Sequence, residues 1–153
     1  MPDGLMVSNP DYQIKNINPD DAFELQLVRN DIISDILFLI GTFISISVNL
    51  EAEKEIVCPE ETNTPAQDAA VVEDSRISRI SIVILLFLAG TIIIAYTAYQ
   101  RLNKQKAELN ESSGQADINN IKGGELVITG LLLRIIGYII SFAGIRIRAE
   151  NPV

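Results

Sequence analysis

The sequence predicts an all-α membrane protein with three transmembrane helices, of which the first two extend beyond the bilayer. Apolar residues are concentrated in three blocks, 32–50, 80–99 and 126–145, and charged residues are crowded between them. Each block has 19 or 20 residues, close to the roughly 20 that a helix needs to cross a bilayer. The Ile and Val content would also suit strands, but buried strands have only about 4–8 residues. Backbone groups in lipid must also satisfy one another, and this favours helices.

The first helix has a clear start signal. Asn18 suits the N-cap, Pro19 the first helical position, and Asp20 and Asp21 the first turn. We therefore expect a polar segment at 1–18 and one helix at 19–50, whose first part lies along the membrane interface before the span at 32–50. Residues 1–18 lack the basic and apolar regions of a cleaved secretory signal, so we expect the first span to act as an uncleaved anchor.

Two polar segments connect the three spans, one after the first span and one after the second. Residues 51–75 contain eight acids, one base and two prolines, and are expected to form an acidic flexible loop that ends at a capping Ser75. A calcium site there is disfavoured because the EF-hand spacing of acids around a glycine is missing. The second helix is predicted at 76–110, with its span at 80–99 and a polar extension. A loop at 111–124, broken by Gly123-Gly124, precedes the third helix at 125–148 and a tail at 149–153.

Two of the spans have a polar face. At 100° per residue, a third of the circumference of helix one collects Asp31, Ser34, Asp35, Gly41, Thr42, Ser45 and Asn49, with Phe38 as the one large apolar residue among them. A similar arc of helix three collects Gly130, Arg134, Gly137, Tyr138, Ser141, Gly144 and Arg148. Small residues on one face allow close helix contacts. We therefore predict a packing face made of Gly41, Ser45, Gly130, Gly137, Ser141 and Gly144, which joins helices one and three within a chain or between chains. Helix two has no such stripe and is predicted to face lipid.

Arg134 lies near the middle of the third span. A charge at that depth costs about 2.5–3.5 kcal/mol on insertion scales and requires a partner or water. Helices one and three run in the same direction, and Asp35 enters the membrane earlier in its span than Arg134 does. Because helical side chains lean toward the N-terminus, the sequence predicts an intramembrane pair of Asp35 and Arg134. A transport role for Arg134 is the alternative.

Composition excludes several functions. The chain has no histidine and no HExxH or GxSxG motif, so we expect neither an enzyme nor a bound cofactor or metal. Its net charge of −8 argues against nucleic acid as a partner. Cys58 is the only cysteine, so a disulfide could form only between chains; an ordinary thiol is the alternative.

Two functions remain after these exclusions. The first is an interaction or accessory subunit that acts through helix packing, with the lipid bilayer and either a second copy or another membrane protein as its partners. The second is an oligomeric channel or carrier for ions or small solutes, lined by the polar faces of helices one and three. Six basic residues fall on the N-terminal side of the spans and five on the other, so the positive-inside rule only weakly places the N-terminus inside and the C-terminus outside.

Overall fold

The computed structural model of the chain describes residues 18–57, 66–111 and 115–150. They form three helices, α1 (Pro19–Val57), α2 (Ala66–Glu111) and α3 (Gln115–Glu150), and these described parts contain no strand. All three helices are long and apolar enough to cross a membrane. The predicted all-α fold with three spanning helices is therefore confirmed.

α1 begins where the start signal predicts. The carbonyl of Asn18 accepts the amide of Ala22 at 2.9 Å, and the side chain of Asn18 accepts the amide of Asp20 at 3.5 Å. The first of these is the opening backbone bond of the helix, and the second gives a partner to one of the amides that the first turn leaves unpaired. The segment predicted to lie along the interface is the first part of this one continuous helix. It packs on the polar end of α2, where Lys104 approaches Glu24 at 3.3 Å and lies over the ring of Phe23.

The helices extend further than the charge pattern suggested. α1 continues seven residues past Leu50, and α2 begins at Ala66, so the prediction of a loop over 51–75 is wrong for 51–57 and 66–75. Residues 58–65, which include Cys58, lie outside the described parts. The Gly123-Gly124 break is also wrong, because both residues lie inside α3. A methyl group on Gly124 would lie only 2.9 Å from Leu102 Cδ1, so the small residue there allows the two helices to approach closely.

α2 is the central helix, and α1 and α3 both pack against it. In the described parts, no Cα atom of α1 lies within 8 Å of one in α3. The predictions that helix two faces lipid and that helices one and three pack together within the chain are therefore wrong. α2 carries contact residues without a polar stripe, because its seams consist mainly of small and aliphatic side chains.

The α1–α2 seam has a seven-residue repeat. The buried residues of α1 are Leu27, Ser34, Gly41 and Val48, and those of α2 include Val83, Gly90 and Thr97 at the same spacing. A seven-residue repeat keeps the contact on one side of each helix when the two helices wind around each other. The small residues bring the backbones together within the spans: Ser34 Oγ donates to the carbonyl of Gly90 at 2.9 Å.

α3 uses a different face for its contact with α2. Its half-buried positions alternate in steps of three and four, which is again a helix-packing repeat. Through the span these positions are Ile128, Leu131, Ile135, Tyr138, Phe142 and Ile145. The glycines at 130, 137 and 144 are exposed and lie beside this face rather than on it.

Ion pairs mark both ends of the apolar spans. At one end Arg101 binds Asp31 at 2.7 Å, and at the other Arg79 binds Glu51 at 2.6 Å. Asp31 and Glu51 are twenty residues apart on α1, or about 30 Å at ~1.5 Å per residue. This separation matches the thickness of the hydrocarbon core of a bilayer, about 30 Å. The two pairs are therefore spaced as expected for groups at the two boundaries of the hydrocarbon core.

Candidate functional site: the groove between α1 and α3

The most distinctive surface of the described chain is a groove with α1 and α3 as its walls. In the described parts both helices pack on α2, while no Cα atoms of α1 and α3 lie within 8 Å of each other, so α2 forms the floor between them. Phe87 of α2 lies in this floor and stacks on Phe38 of α1 at 5.7 Å and on Tyr138 of α3 at 6.0 Å, measured between ring centroids. We call this surface the α1–α3 groove. The three rings connect all three helices near the middle of the membrane.

The residue pattern of the sequence does not reveal these three ring contacts. Phe38 stood out only as an apolar residue within a polar arc, and Phe87 lies in a block with no polar stripe. Tilted ring pairs at these separations are favourable by about 0.5–1.5 kcal/mol beyond the area they bury. Aromatic residues are scarce in this chain, with five phenylalanines, four tyrosines and no tryptophan. An aromatic residue within a span is therefore a usable signal for an interhelical contact. Which rings meet, however, depends on how far each helix is rotated.

Arg134 extends from α3 across the groove toward α1. Its guanidinium lies 5.2 Å from the centroid of Phe38 and 5.5 Å from that of Tyr138, and its Nε donates to the Tyr138 hydroxyl at 2.9 Å. Ring faces attract cations, so these contacts stabilise the charge in part. No ion pair among the described residues includes Arg134, and the residue is exposed. A positive charge near the middle of a span is thus left without a carboxylate.

The structure does not join Asp35 to Arg134. Asp35 is exposed on α1, and no ion pair of the described chain includes it. It lies one turn before Phe38, the ring that Arg134 covers, so the two charges differ in depth by about one turn, or ~5 Å. The coupling of Asp35 with Arg134 remains a prediction, and the groove between their helices is where it would form.

Gly41 and Ser45 occupy the α1 side of the seam with α2. A Cβ atom on Gly41 would lie 2.6 Å from Phe87 Cε1, so this glycine is in close contact with α2. Ser45 is half-buried beside it. Within the chain, then, Gly41 acts as a packing residue toward helix two rather than helix three.

The α3 glycines form a strip at the outer edge of the groove, further from α2 than Arg134 is. A Cβ atom added to Gly130, Gly137 or Gly144 would meet nothing within 4 Å, and Ser141 beside them is exposed, with its hydroxyl bonded to the carbonyl of Gly137 at 2.9 Å. On the helical wheel these glycines lie on the same side of α3 as Arg134. Larger apolar side chains, Leu133 and Ile140, form a ridge three residues after Gly130 and Gly137 and are about two-thirds exposed. This side of α3 therefore has a strip of glycines next to a ridge formed by Leu133 and Ile140.

The charged ends of the helices are well paired by comparison. The pKa of Glu51, just outside the first apolar block, is lowered chiefly by the hydrogen bond from Arg79. The pKa of Lys104, beyond the other end of the spans, is raised chiefly by its bond to Glu24. Arg134 and Asp35 have no ion pair of this kind among the described residues, although they lie deeper along the spans.

The groove has no cluster of metal ligands among the residues that the structure describes. No group of three or more His, Cys, Asp or Glu side chains there is arranged to hold a metal ion. Its polar groups are a guanidinium, a carboxylate, hydroxyls and a phenol, which are suited to hydrogen bonds and charge pairing between helices. No family model, no curated protein and no solved structure matches this chain.

Proposed function

We propose that this protein is a membrane interaction subunit that binds a transmembrane helix in the α1–α3 groove. The observation that carries the proposal is an open strip of glycines on α3 beside an Arg134 guanidinium that has no carboxylate partner among the described residues. A charge near the middle of a span is costly, at about 2.5–3.5 kcal/mol on insertion scales. A helix that brings a carboxylate to this depth removes part of that cost. The glycines let its backbone approach closely.

The occupant that the charges fit is a second copy of the chain. Asp35 is an exposed carboxylate within the first span and within about one turn of the depth of Arg134. Two copies in one membrane share their orientation, so a two-fold axis along the membrane normal places α1 of each copy opposite α3 of the other. A two-fold interface repeats each contact. Both Arg134 residues then pair with an Asp35 of the other copy.

The polar side chains beside Asp35 support the same arrangement. Thr42 and Asn49 are exposed on the groove side of α1, and Ser141 is exposed on α3. Hydroxyls and amides across a helix contact in lipid contribute about 0.6 kcal/mol each on average. Their contribution is smaller than that of the charge pair, but they help to fix the register of one helix on the other.

The test is a charge exchange read by oligomeric state. Wild-type protein in detergent is expected to give a dimer by native mass measurement. Arg134→Asp and Asp35→Arg are each expected to lower the dimer fraction, because like charges then face each other. The double exchange is expected to restore it. Arg29→Asp, on the exposed and more polar start of α1, is the matched control and is expected to leave the dimer intact.

A monomeric wild type at all concentrations would overturn the second copy as the occupant. Additive losses in the two single exchanges, without recovery in the double, would show that the pair does not form. Breaking one member of a buried pair is costly, whereas replacing both is often tolerated. The recovery is therefore the discriminating measurement.

A channel for ions or small solutes is the second candidate function, favoured by the same polar edges. When two grooves face each other, Thr42, Asn49 and Ser141 line the space between them. Gly137→Leu separates the two candidates, because a packing wall predicts lost assembly and a pore wall predicts intact assembly with blocked flux in liposomes. Assembly that is retained while flux is lost would favour the channel.

A further inference from the structure

A second concave site lies between α2 and α3, at the end of the spans that Glu51 and Arg79 mark. It is a pocket of about 270 Å³ lined by Glu73, Arg76, Ile77, Ile80, Ile145 and Arg148. That volume is close to the lower limit of small-ligand pockets, about 300 Å³. Its position differs from that of the groove centre, because its residues lie at or beyond the ends of the apolar blocks.

The lining changes from apolar to charged in the direction from lipid to water. Ile80 is the first residue of its apolar block and Ile145 the last of its own, while Arg76 and Arg148 lie about one turn further out. Arg76 is held on one side by Glu55 at 2.6 Å, yet its Nε is buried and has no hydrogen-bond partner among the described residues. Arg148 is about three-quarters exposed and only 3.8 Å from Glu73. Both arginines therefore retain donor capacity.

We propose that this pocket binds the phosphate of an anionic membrane phospholipid, with its acyl chains against the three isoleucines. Two guanidiniums at headgroup depth supply the fork of donors that suits phosphate oxygens. Basic pockets between transmembrane helices are a known mode of headgroup binding. A free phosphate ion shares the headgroup chemistry but would make no use of Ile77, Ile80 and Ile145.

Glu73 and Arg148 are expected to have opposite effects on the affinity of the pocket for an anionic lipid. The carboxylate of Glu73 is the acid nearest to Arg148 in the pocket and competes with a lipid phosphate for that guanidinium. Removing this carboxylate strengthens anionic lipid binding, and removing the guanidinium weakens it. A purely apolar contact predicts neither change.

The experiment measures retention of dioleoyl phosphatidylglycerol by the full-length protein in detergent, using native mass spectrometry. Arg148→Gln is expected to weaken binding about tenfold, because it removes one charge-assisted contact of ~1.4 kcal/mol. Glu73→Gln is expected to strengthen binding several-fold. Arg146→Gln, an exposed arginine two residues from Arg148 that does not line the pocket, is the matched control and is expected to bind like the wild type. Melting temperatures of all three variants are expected to be unchanged, since the contact of Arg148 is long and exposed.

Two competitors distinguish the sources of binding. Dioleoylglycerol, which has no phosphate, is expected to be retained poorly, and inorganic phosphate at millimolar concentration is expected not to displace the lipid. Equal retention of dioleoylglycerol, displacement by inorganic phosphate, or an Arg148→Gln protein that binds as tightly as wild type would each overturn the proposal. These outcomes do not depend on the dimer fraction. A negative result for lipid binding would therefore not contradict the proposed dimer in the α1–α3 groove.

Discussion

At the scale of single residues, glycines of this chain have opposite environments. Gly41 and Gly90 lie in the α1–α2 seam, where an added Cβ would approach Phe87 to 2.6 Å and Phe38 to 3.2 Å. Gly130, Gly137 and Gly144 have open space in front of them. Spacing along the chain does not distinguish Gly41 from the α3 glycines, because both fit a repeat in which small residues recur on one helix face.

We predict that Gly41→Ala lowers the thermal stability of the purified protein. The methyl group requires Phe87 to move, and the stacking of Phe87 on Phe38 and Tyr138 opposes that movement. Overpacking of this kind costs about 1–3 kcal/mol. The measurement is the midpoint of thermal unfolding in detergent. In a Phe87→Leu background the added cost of Gly41→Ala is expected to shrink.

Gly137→Ala is the matched control for that change. Nothing faces its Cβ within the chain, and Ala is favoured over Gly within a helix by up to about 1 kcal/mol. We therefore expect unchanged or slightly higher stability of the monomer. A loss equal to that of Gly41→Ala would contradict the open environment of the α3 glycines.

At the scale of whole helices, α1 and α2 are fastened by charges outside the spans and by small residues within them. The outer ion pairs are partly exposed, and pairs of that kind contribute about 0–1 kcal/mol each. Most of the stability of the pair of helices therefore comes from the seam of Leu27, Ser34, Gly41 and Val48. The charges mainly set which residues lie at the membrane boundary, because they are unfavourable in lipid.

We predict an acid-dependent loss of stability that involves Glu51. Because the bond from Arg79 lowers the pKa of Glu51, this group contributes stability above its ordinary pKa and loses the contribution as pH falls through the lowered pKa. The measurement is the unfolding midpoint at neutral pH and below the ordinary pKa of about 4.5. Glu51→Gln is expected to show a smaller fall than the wild type. Glu53→Gln, an exposed residue outside the ion pairs of the described chain, is expected to fall like the wild type.

At the scale of the whole molecule, α2 runs antiparallel to both of its neighbours, and in the described parts α1 and α3 do not pack on each other. α1 and α3 point in the same direction and both contact α2, so their facing edges remain open to lipid or to another helix. The edges carry Asp35 on one side and Arg134 on the other. This is why the proposed function depends on the arrangement of all three helices rather than on any one of them.

We predict that the two ends of α2 lie on opposite sides of the membrane. A membrane-impermeant thiol reagent is expected to label the native Cys58 from one side only. A cysteine at Asn110, in a Cys58→Ser background, is expected to be labelled only from the other side. Inverted and right-side-out vesicles provide the two measurements, and labelling of both positions from the same face would contradict three spans. The side that labels Cys58 also tests whether the N-terminus is inside.

The sequence by itself determined that the chain has three helices long and apolar enough to cross a membrane, and that α1 starts at Pro19. These follow from local properties: the length of each apolar block, the need of a backbone in lipid to bond to itself, and a cap of a few neighbouring residues. The helix ends near the acidic and glycine-containing segments were harder to predict. Contacts with a neighbouring helix, such as Glu55 with Arg76 and Gly124 with Leu102, lie in stretches whose composition suggests loops.

Only the tertiary structure decided which faces meet. Helical periodicity groups Gly41 with Ser45 and Gly137 with Ser141 on their own helices, but it contains no information on the rotation of one helix about another. The arrangement makes α2 the centre, places Gly41 against Phe87, and leaves Gly137 in an open strip beside Arg134. The physical reason is that lipid tails solvate an apolar helix face as well as another helix does. How closely two faces fit together therefore decides which helices become neighbours. Shape complementarity between distant segments is a property of the folded chain alone.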